Sequence, residues 1–383
     1  LASANIGSAS LLIANERDER NADISLTARE ISGVEVVALA EDLARARFLS
    51  YAGASRVISP KALLGSFVAQ ITSPPRKGVF PGAIKLFGSL MVPLPIYQGS
   101  PLIGKVVHDP ALSETGAKVV GMWQKGRFVS IPKDEVVSSH SVLMAVGERE
   151  GLDRLRELTM GPPRTGPLIV IGYGDVGRRI VAALTERGVS PSVVDRRELD
   201  DAPFRSIVGD GTSEEVLVES GVKDAAGVLI MLNDDSDVVF ATLLARNLNG
   251  EAFIVARANH LSSAEKIYRA GADYVASVPI VASSMLARIA QRQEEEFTMI
   301  YEELEMTRFR VGFGSRLAGK RLSELNLPER FGCTVVAIER EEECLFSIGP
   351  ETVLKRGDLL AILGSFEGIE KFGRRYRWRS LER

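Results

Sequence analysis

The chain has 383 residues, 45% hydrophobic and 25% charged, with a formal net charge of -3, a balance that excludes a disordered tail and a basic nucleic-acid binder. That length exceeds one ordinary core and predicts two to four domains. Cys333 and Cys344 cannot form a disulfide framework, and with His108, His140 and His260 they make no zinc spacing, which favours a reducing, cytoplasmic setting.

From the N-terminus, Leu1 to Gly7 reads as a helix end and a turn before a strand at Ser10–Ala14. The abrupt start without methionine predicts a segment upstream of Leu1. Residues 1–73 read as strands alternating with helices, and 74–95 as a crossover linker. The apolar run Ile84–Ile96 contains Lys85 and two prolines and is too short for the roughly 20 residues that cross a bilayer. A strand-rich lobe is predicted over 96–160. The glycines and prolines of Met160–Pro167 mark an exposed boundary.

Residues 161–279 alternate again, with strands predicted at Leu168–Ile171, Ser192–Val194, Ser206–Val208, Val228–Met231, Ala252–Val255 and Tyr274–Val275. Continuous apolar strands between helices indicate a parallel sheet covered on both faces. Residues 280–306 read as crossover helices, and 307–383 as a second strand-rich lobe. The order of elements repeats. Leu11–Asp18 parallels Leu229–Ser236, Leu26–Arg29 parallels Leu243–Arg246, and Tyr51–Ala54 parallels Arg269–Ala272. Gly99–Lys105 likewise mirrors Gly314–Lys320, and Val142–Gly147 mirrors Leu359–Gly364. The predicted fold is therefore α/β: doubly wound parallel-sheet, Rossmann-like lobes alternating with small α+β lobes, duplicated. The first copy enters at the counterpart of the fourth strand.

Gly172-Tyr173-Gly174-Asp175-Val176-Gly177 follows an apolar strand and opens a helix. There Gly172 can make the tight turn, Gly174 can admit a pyrophosphate, and Gly177 can let helix and strand pack closely. The helix amides and dipole face the diphosphate. Asp195, 18 residues after Gly177, ends the second strand where an acid can accept ribose hydroxyls, which favours NAD over NADP; Arg196 and Arg197 weaken that preference. Gly209-Asp210-Gly211-Thr212 and Asn233-Asp234-Asp235 follow the third and fourth strands. Asp210 and Thr212 are expected near the adenosine and Asn233 in the pocket wall. The competing reading is that Asp210 and Thr212 cap one helix, and Asn233 or Asp235 the next.

With these clusters, Ala256-Arg257-Ala258-Asn259, Ala270–Val275, the Gly-Ser-x-Leu-x-Gly-Lys of each small lobe and Leu354–Leu360, the chain resembles the regulators of potassium conductance, the RCK or KTN fold built of TrkA-N and TrkA-C parts. The resemblance covers essentially the whole chain and implies that Arg257 lies near a bound nucleotide. It implies NAD(H), with ADP or ATP as the alternative, as a regulator. It further implies paired lobes in a ring, a tetramer of tandem repeats with eight such domains, coupled to a potassium pore on the cytoplasmic side of the membrane. Residues 74–95 look more like two-repeat channels, with a pore upstream in the same chain, than like the freestanding Trk subunit, which is the alternative. The first copy has Leu39-Ala40-Glu41-Asp42 where the second has Arg257-Ala258-Asn259-His260, and so lacks the arginine.

An NAD-dependent oxidoreductase is the remaining alternative, since the glycine loop serves both classes. None of the seven tyrosines is followed by lysine four residues later, and no Ser/His/Asp or paired-carboxylate arrangement can be assigned. His260 could reach the pocket rim but also suits a surface loop. The two cysteines read as packing residues or idle thiols. Some members of the resembled family bind divalent cations such as Ca2+; Glu294–Glu296, Glu302–Glu303 and Glu341–Glu343 are conceivable donors, against a solvated acidic face, and no metal residues are assigned.

Overall fold

In this computed structural model, strands β1 (Leu11–Ala14), β2 (Glu35–Leu39) and β3 (Arg56–Ile58) form a parallel three-stranded sheet, with α1 (Asp18–Ile31), α2 (Ala46–Tyr51) and α3 (Pro60–Thr72) between and after them. The structure describes residues 1, 4–73, 77–80, 83–97, 99–106, 112, 114–124, 127–129, 136–138, 141–161, 166–200, 202–290, 304–312, 315–341, 343–346 and 348–376. Two units emerge: residues 1–73 with 165–297, and 74–164 with 298–383. Each holds the corresponding lobes of both copies. None of the described helices is long and apolar enough to cross a membrane.

The first small lobe is an antiparallel sheet of β4 (Ile84–Leu86), β5 (Ser89–Pro95), β6 (Lys118–Gln124), β7 (Arg127–Val129) and β8 (Ser141–Gly147), ordered β4-β5-β8-β6-β7, followed by α4 (Arg149–Thr159). This corrects the reading of 74–95 as a linker, since β4 and β5 lie inside it. The prolines misled. Short β4 pairs only with Ser89–Met91, so Pro93 and Pro95 fall where that flank of β5 has no β4 partner, and Ile96 N–H bonds the Ser141 carbonyl on the other flank. Proline is tolerated where no ladder bond is required of it.

The second copy supplies β9 (Leu168–Ile171), α5 (Asp175–Thr185), β10 (Ser192–Asp195), β11 (Ser206–Val208), α6 (Glu214–Ser220), β12 (Gly227–Ile230), α7 (Asp235–Leu248), β13 (Phe253–Ala258), α8 (Ala264–Arg269), β14 (Tyr274–Ser277) and α9 (Val278–Ala290). Its six strands are all parallel in the order β11-β10-β9-β12-β13-β14, the doubly wound arrangement the alternation predicted. The order reverses at β9, so the crevice beyond the strand C-termini opens between β9 and β12. Ile169, Ile171, Val228, Ile230, Ile254 and Ala256 are buried in its core.

The last lobe holds β15 (Leu304–Arg310), α10 (Leu322–Leu325), α11 (Leu327–Phe331), β16 (Cys333–Arg340), β17 (Glu343–Leu345), β18 (Leu359–Ser365) and α12 (Phe366–Tyr376), its antiparallel strands ordered β15-β18-β16-β17. Strand β15 starts at Leu304, inside the stretch read as crossover helices. The two small lobes share details: a register shift at Val119/Gly121 in one and Val335/Ala337 in the other. Gly104 N–H donates to Val137 and Gly319 N–H to Leu354.

Helix α3 starts cleanly, because Ser59 accepts the Ala62 N–H and Pro60 occupies its first turn. It then crosses to the second copy, running along α5 and touching α9 and β14, with Phe67 against the Tyr274 ring.

Candidate functional site

The turn between β9 and α5 is held by backbone contacts. Gly172 adopts a φ of 97°, a left-handed conformation that favours glycine, and a Cβ there would stand 2.9 Å from the Met231 carbonyl oxygen. A Cβ on Gly177 would stand 2.0 Å from the Gly172 carbonyl oxygen, so the helix can approach the strand only if residue 177 has no side chain. Val176 is buried beside it. Gly174 differs: a Cβ on it would meet nothing within 4 Å. No contact within the described residues calls for a glycine there, whereas a diphosphate laid against the amides of α5 needs that space.

Asp195 at the end of β10 accepts the Tyr173 N–H at 2.6 Å, and the Arg197 N–H and Nε at 3.0 and 2.9 Å. Partial burial pushes its carboxyl up, but Arg197 and the Tyr173 amide outweigh this and hold it below the usual range. Asp195 therefore buttresses the glycine turn, and a ribose diol would share it with Arg197. Tyr173 rests against the Phe204 ring, centroids 5.4 Å apart.

The third-strand cluster closes on itself. Asp210 accepts the Thr212 N–H and hydroxyl at 2.9 and 2.7 Å, while Ser213 caps α6; this corrects the reading of Asp210 and Thr212 as that helix's caps. Gly209 and Gly211 lie against Val216 and Ile171, so close that a Cβ would collide with their side chains. Arg196 reaches Asp210 at 2.9 Å and Asp237 at 3.4 Å, an exposed bridge of small energetic value.

The fourth-strand cluster divides its labour. Asp234 caps α7, accepting from Ser236 and Asp237 N–H; neither Asn233 nor Asp235 is the cap. Asp235 accepts the Asn259 N–H and side-chain amide, the His260 N–H, and pairs with His260 Nδ1 at 2.9 Å. Burial raises its carboxyl, but these bonds and one from Ser263 bring it down to about 2. His260 is exposed and tied to this clamp.

Arg257 is buried, 9% exposed, at the end of β13. Its Nη1 donates to Asn233 Oδ1 at 3.0 Å, and its Nε has no hydrogen-bond partner among the described residues. Burial lowers its pKa, opposed by Asp175 and Asp235. A buried guanidinium with an unused donor suits an arriving anion. Asp175, in the first turn of α5, accepts Lys61 Nζ at 2.9 Å and Arg178 at 2.8 Å. Burial pushes its carboxyl up and the two cations bring it below the usual range. The residues present therefore fit a dinucleotide: an open cradle at Gly174, an α5 N-terminus, an unspent buried cation and an acid at the second strand. Lys61 was missed by sequence reasoning, and its signal is that the first copy has lysine where the second has Pro279.

Of the acidic runs considered for metal, residues 294–296, 302, 303 and 342 lie outside the described residues; Glu341 and Glu343 are exposed. Among the described residues no cluster of three or more metal-ligating side chains occurs. Cys333 begins β16 in the last core, where burial pushes its thiol up to about 12, and Cys344 lies on β17.

The TrkA-N domain family matches residues 1–60 and 168–278, and the TrkA-C domain family matches 306–376. Ktr system potassium uptake protein A of Vibrio alginolyticus is 31% identical over 205 residues, 51% of this chain and 90% of that protein. The chain belongs to the TrkA-N/TrkA-C family. Within it, Potassium channel protein 1 of Methanocaldococcus jannaschii is 29% identical over 238 residues, 59% of this chain and 69% of that protein. Among solved structures, the GsuK channel bound to NAD superposes with a TM-score of 0.60 at 28% identity, covering 96% of this chain and 67% of that one. The split TrkA-N match falls on the Rossmann-like lobes of both copies, as the internal repeat predicted.

Proposed function

We propose that this chain is the ligand-sensing region of a potassium channel, binding NAD(H) in the second copy as a regulator and coupling its ring conformation to a pore. The observation that carries the reading is the likeness to the NAD-bound GsuK channel along 96% of this chain, joined to a site whose open Gly174 and unspent Arg257 donor match what a dinucleotide needs. Gly172, Tyr173, Asp175, Val176 and Gly177 form the turn under the diphosphate; Asp195 takes the ribose; Asp210, Thr212 and Asn233 border the adenosine side. A ligand favouring one arrangement of packed lobes shifts their equilibrium by its difference in affinity, with no bond made or broken. The cytoplasmic face of the membrane and a tetramer of tandem repeats belong to the same proposal.

A regulatory subunit acting on a separate transporter is the second reading, favoured by the 90% coverage of the Vibrio protein by part of this chain. The gene sequence before Leu1 decides between them: two membrane spans flanking a Thr-Val-Gly-Tyr-Gly-like filter mean a channel. For the ligand, calorimetric titration with NAD and NADH is expected to give saturable binding that Gly174→Asp and Asp195→Ala weaken. Unchanged affinity in both variants overturns the site, and turnover of NADH with a small carbonyl compound overturns the sensor in favour of an oxidoreductase.

A further inference from the structure

We propose that the first copy supplies a residue to the second copy's nucleotide site: Lys61, which neutralises Asp175 beside the diphosphate cradle and so permits an anionic ligand to bind there. The inference rests on the nucleotide reading above and adds the source of one of its charges.

The geometry begins with the helices. Lys61 lies in the first turn of α3 and Asp175 in the first turn of α5, joined at 2.9 Å, so the N-termini of two helices, one from each copy, converge. A lysine in a helix's first turn opposes that helix's own dipole. Lys61 is thus poorly placed for α3 and well placed for its neighbour.

Close approach is secured further along. Gly65 of α3 lies over α5, where a Cβ would stand 2.9 Å from Arg179 Cβ and 3.1 Å from the Val176 carbonyl oxygen. Arg179 Nε then donates to Ser66 Oγ at 2.9 Å. A helix contact drawn this tight fixes the start of α3 against the loop.

An acid at the diphosphate seat would repel a phosphate, and Asp175 stands in the glycine loop itself. Lys61 and Arg178 both bond it, and the buried Arg257, whose Nε is unpaired among the described residues, is attracted toward the same carboxylate. Removing Lys61 leaves the acid less compensated where the ligand's charge must settle. The repeat marks the arrangement as one-sided: by the alignment of Gly53 with Gly271, Lys61 corresponds to Pro279, and the second copy has no such lysine. Ligand occupancy in one copy is thereby linked to the seating of a helix from the other, and the linkage is reciprocal.

The experiment is calorimetric titration of the purified chain with NAD and with adenosine, which carries no phosphate. Lys61→Gln is expected to weaken NAD about tenfold, as for one half-buried charge, and to leave adenosine unchanged. Lys61→Arg should retain most of the affinity. In Lys61→Gln/Asp175→Asn, with the acid gone, NAD affinity should return to within about threefold of the parent, a rescue that a packing role for Lys61 would not give. Equal NAD affinity in the parent and Lys61→Gln overturns this proposal while leaving the nucleotide site standing. Equal losses for NAD and adenosine without rescue also overturn it, since Lys61 would then act only through packing. No saturable NAD binding by the parent removes the nucleotide reading itself, and this proposal with it.

Discussion

Asp18 opens α1 and Asp235 opens α7, and each accepts two consecutive backbone N–H groups from the loop after the next strand. Asp18 takes Glu41 and Asp42; Asp235 takes Asn259 and His260. The clamp occurs with Arg257 in one copy and without it in the other, so it is a feature of the fold that the site has borrowed. Asp235→Asn should cost ~1–3 kcal/mol, since a carboxylate accepting several donors is replaced by an amide that competes for them. Urea unfolding measures this. Because the folded carboxyl sits at about 2 against an ordinary 3.8, its contribution is present above the ordinary value and is lost as pH falls through about 2; the variant should lack that acid-side decline.

The glycines of the loop should separate stability from binding. Gly177→Ala places a Cβ 2.0 Å from the Gly172 oxygen and should lower stability by ~2 kcal/mol or more. Gly174→Ala meets nothing within 4 Å among the described residues and should stay within about 1 kcal/mol, its cost being that of alanine at a helix N-cap. Thermal melts with and without NAD check both. Gly174→Ala should melt near the parent temperature and gain less from the ligand.

Arg257→Leu places in the second copy the residue the first already uses, since Leu39 is buried at the matching position with 7% exposure. The change removes a buried cation whose Nε is unpaired among the described residues, so stability should hold or rise by ~1 kcal/mol. NAD affinity should fall at least about tenfold, the worth of one charge-assisted hydrogen bond. Urea midpoints and titration of the same preparation give the two readings.

In the unit of small lobes, Lys118 of β6 donates to the Ile348 carbonyl, and burial pulls its amine from 10.5 down to about 8. Between those values the unfolded chain holds more protons than the folded one, so stability rises with pH. Below about 8 both forms are protonated and the cost of the buried charge is fully present. Lys118→Met should flatten the rise, seen as urea midpoints that no longer climb across that interval.

The duplication, the doubly wound order of β9 to β14 and the glycine loop were legible in the chain, because apolar periodicity and glycine placement are local properties. Asp210, Thr212, Asn233 and Asp235 were legible as polar residues at strand ends, but their division of labour was not. Each has several donors within reach, and only folded distances choose among them. Asp234 became the cap and Asp235 the clamp by one residue of rotation around α7. Strand β5 was hidden by Pro93 and Pro95, which are harmless only because β4 is too short to require their missing N–H groups.

What the sequence determined by itself was the kind of lobe, its repetition and the place of the loop, since strand and helix periods and the turn at Gly172 follow from neighbouring residues. What only the tertiary structure decided was the partnership between copies. Lys61 and Asp175 are 114 residues apart in the chain and 2.9 Å apart in space, because α3 leaves its own sheet and packs on α5 through a glycine. No local pattern encodes a charge pair that two separately periodic helices make when their first turns meet.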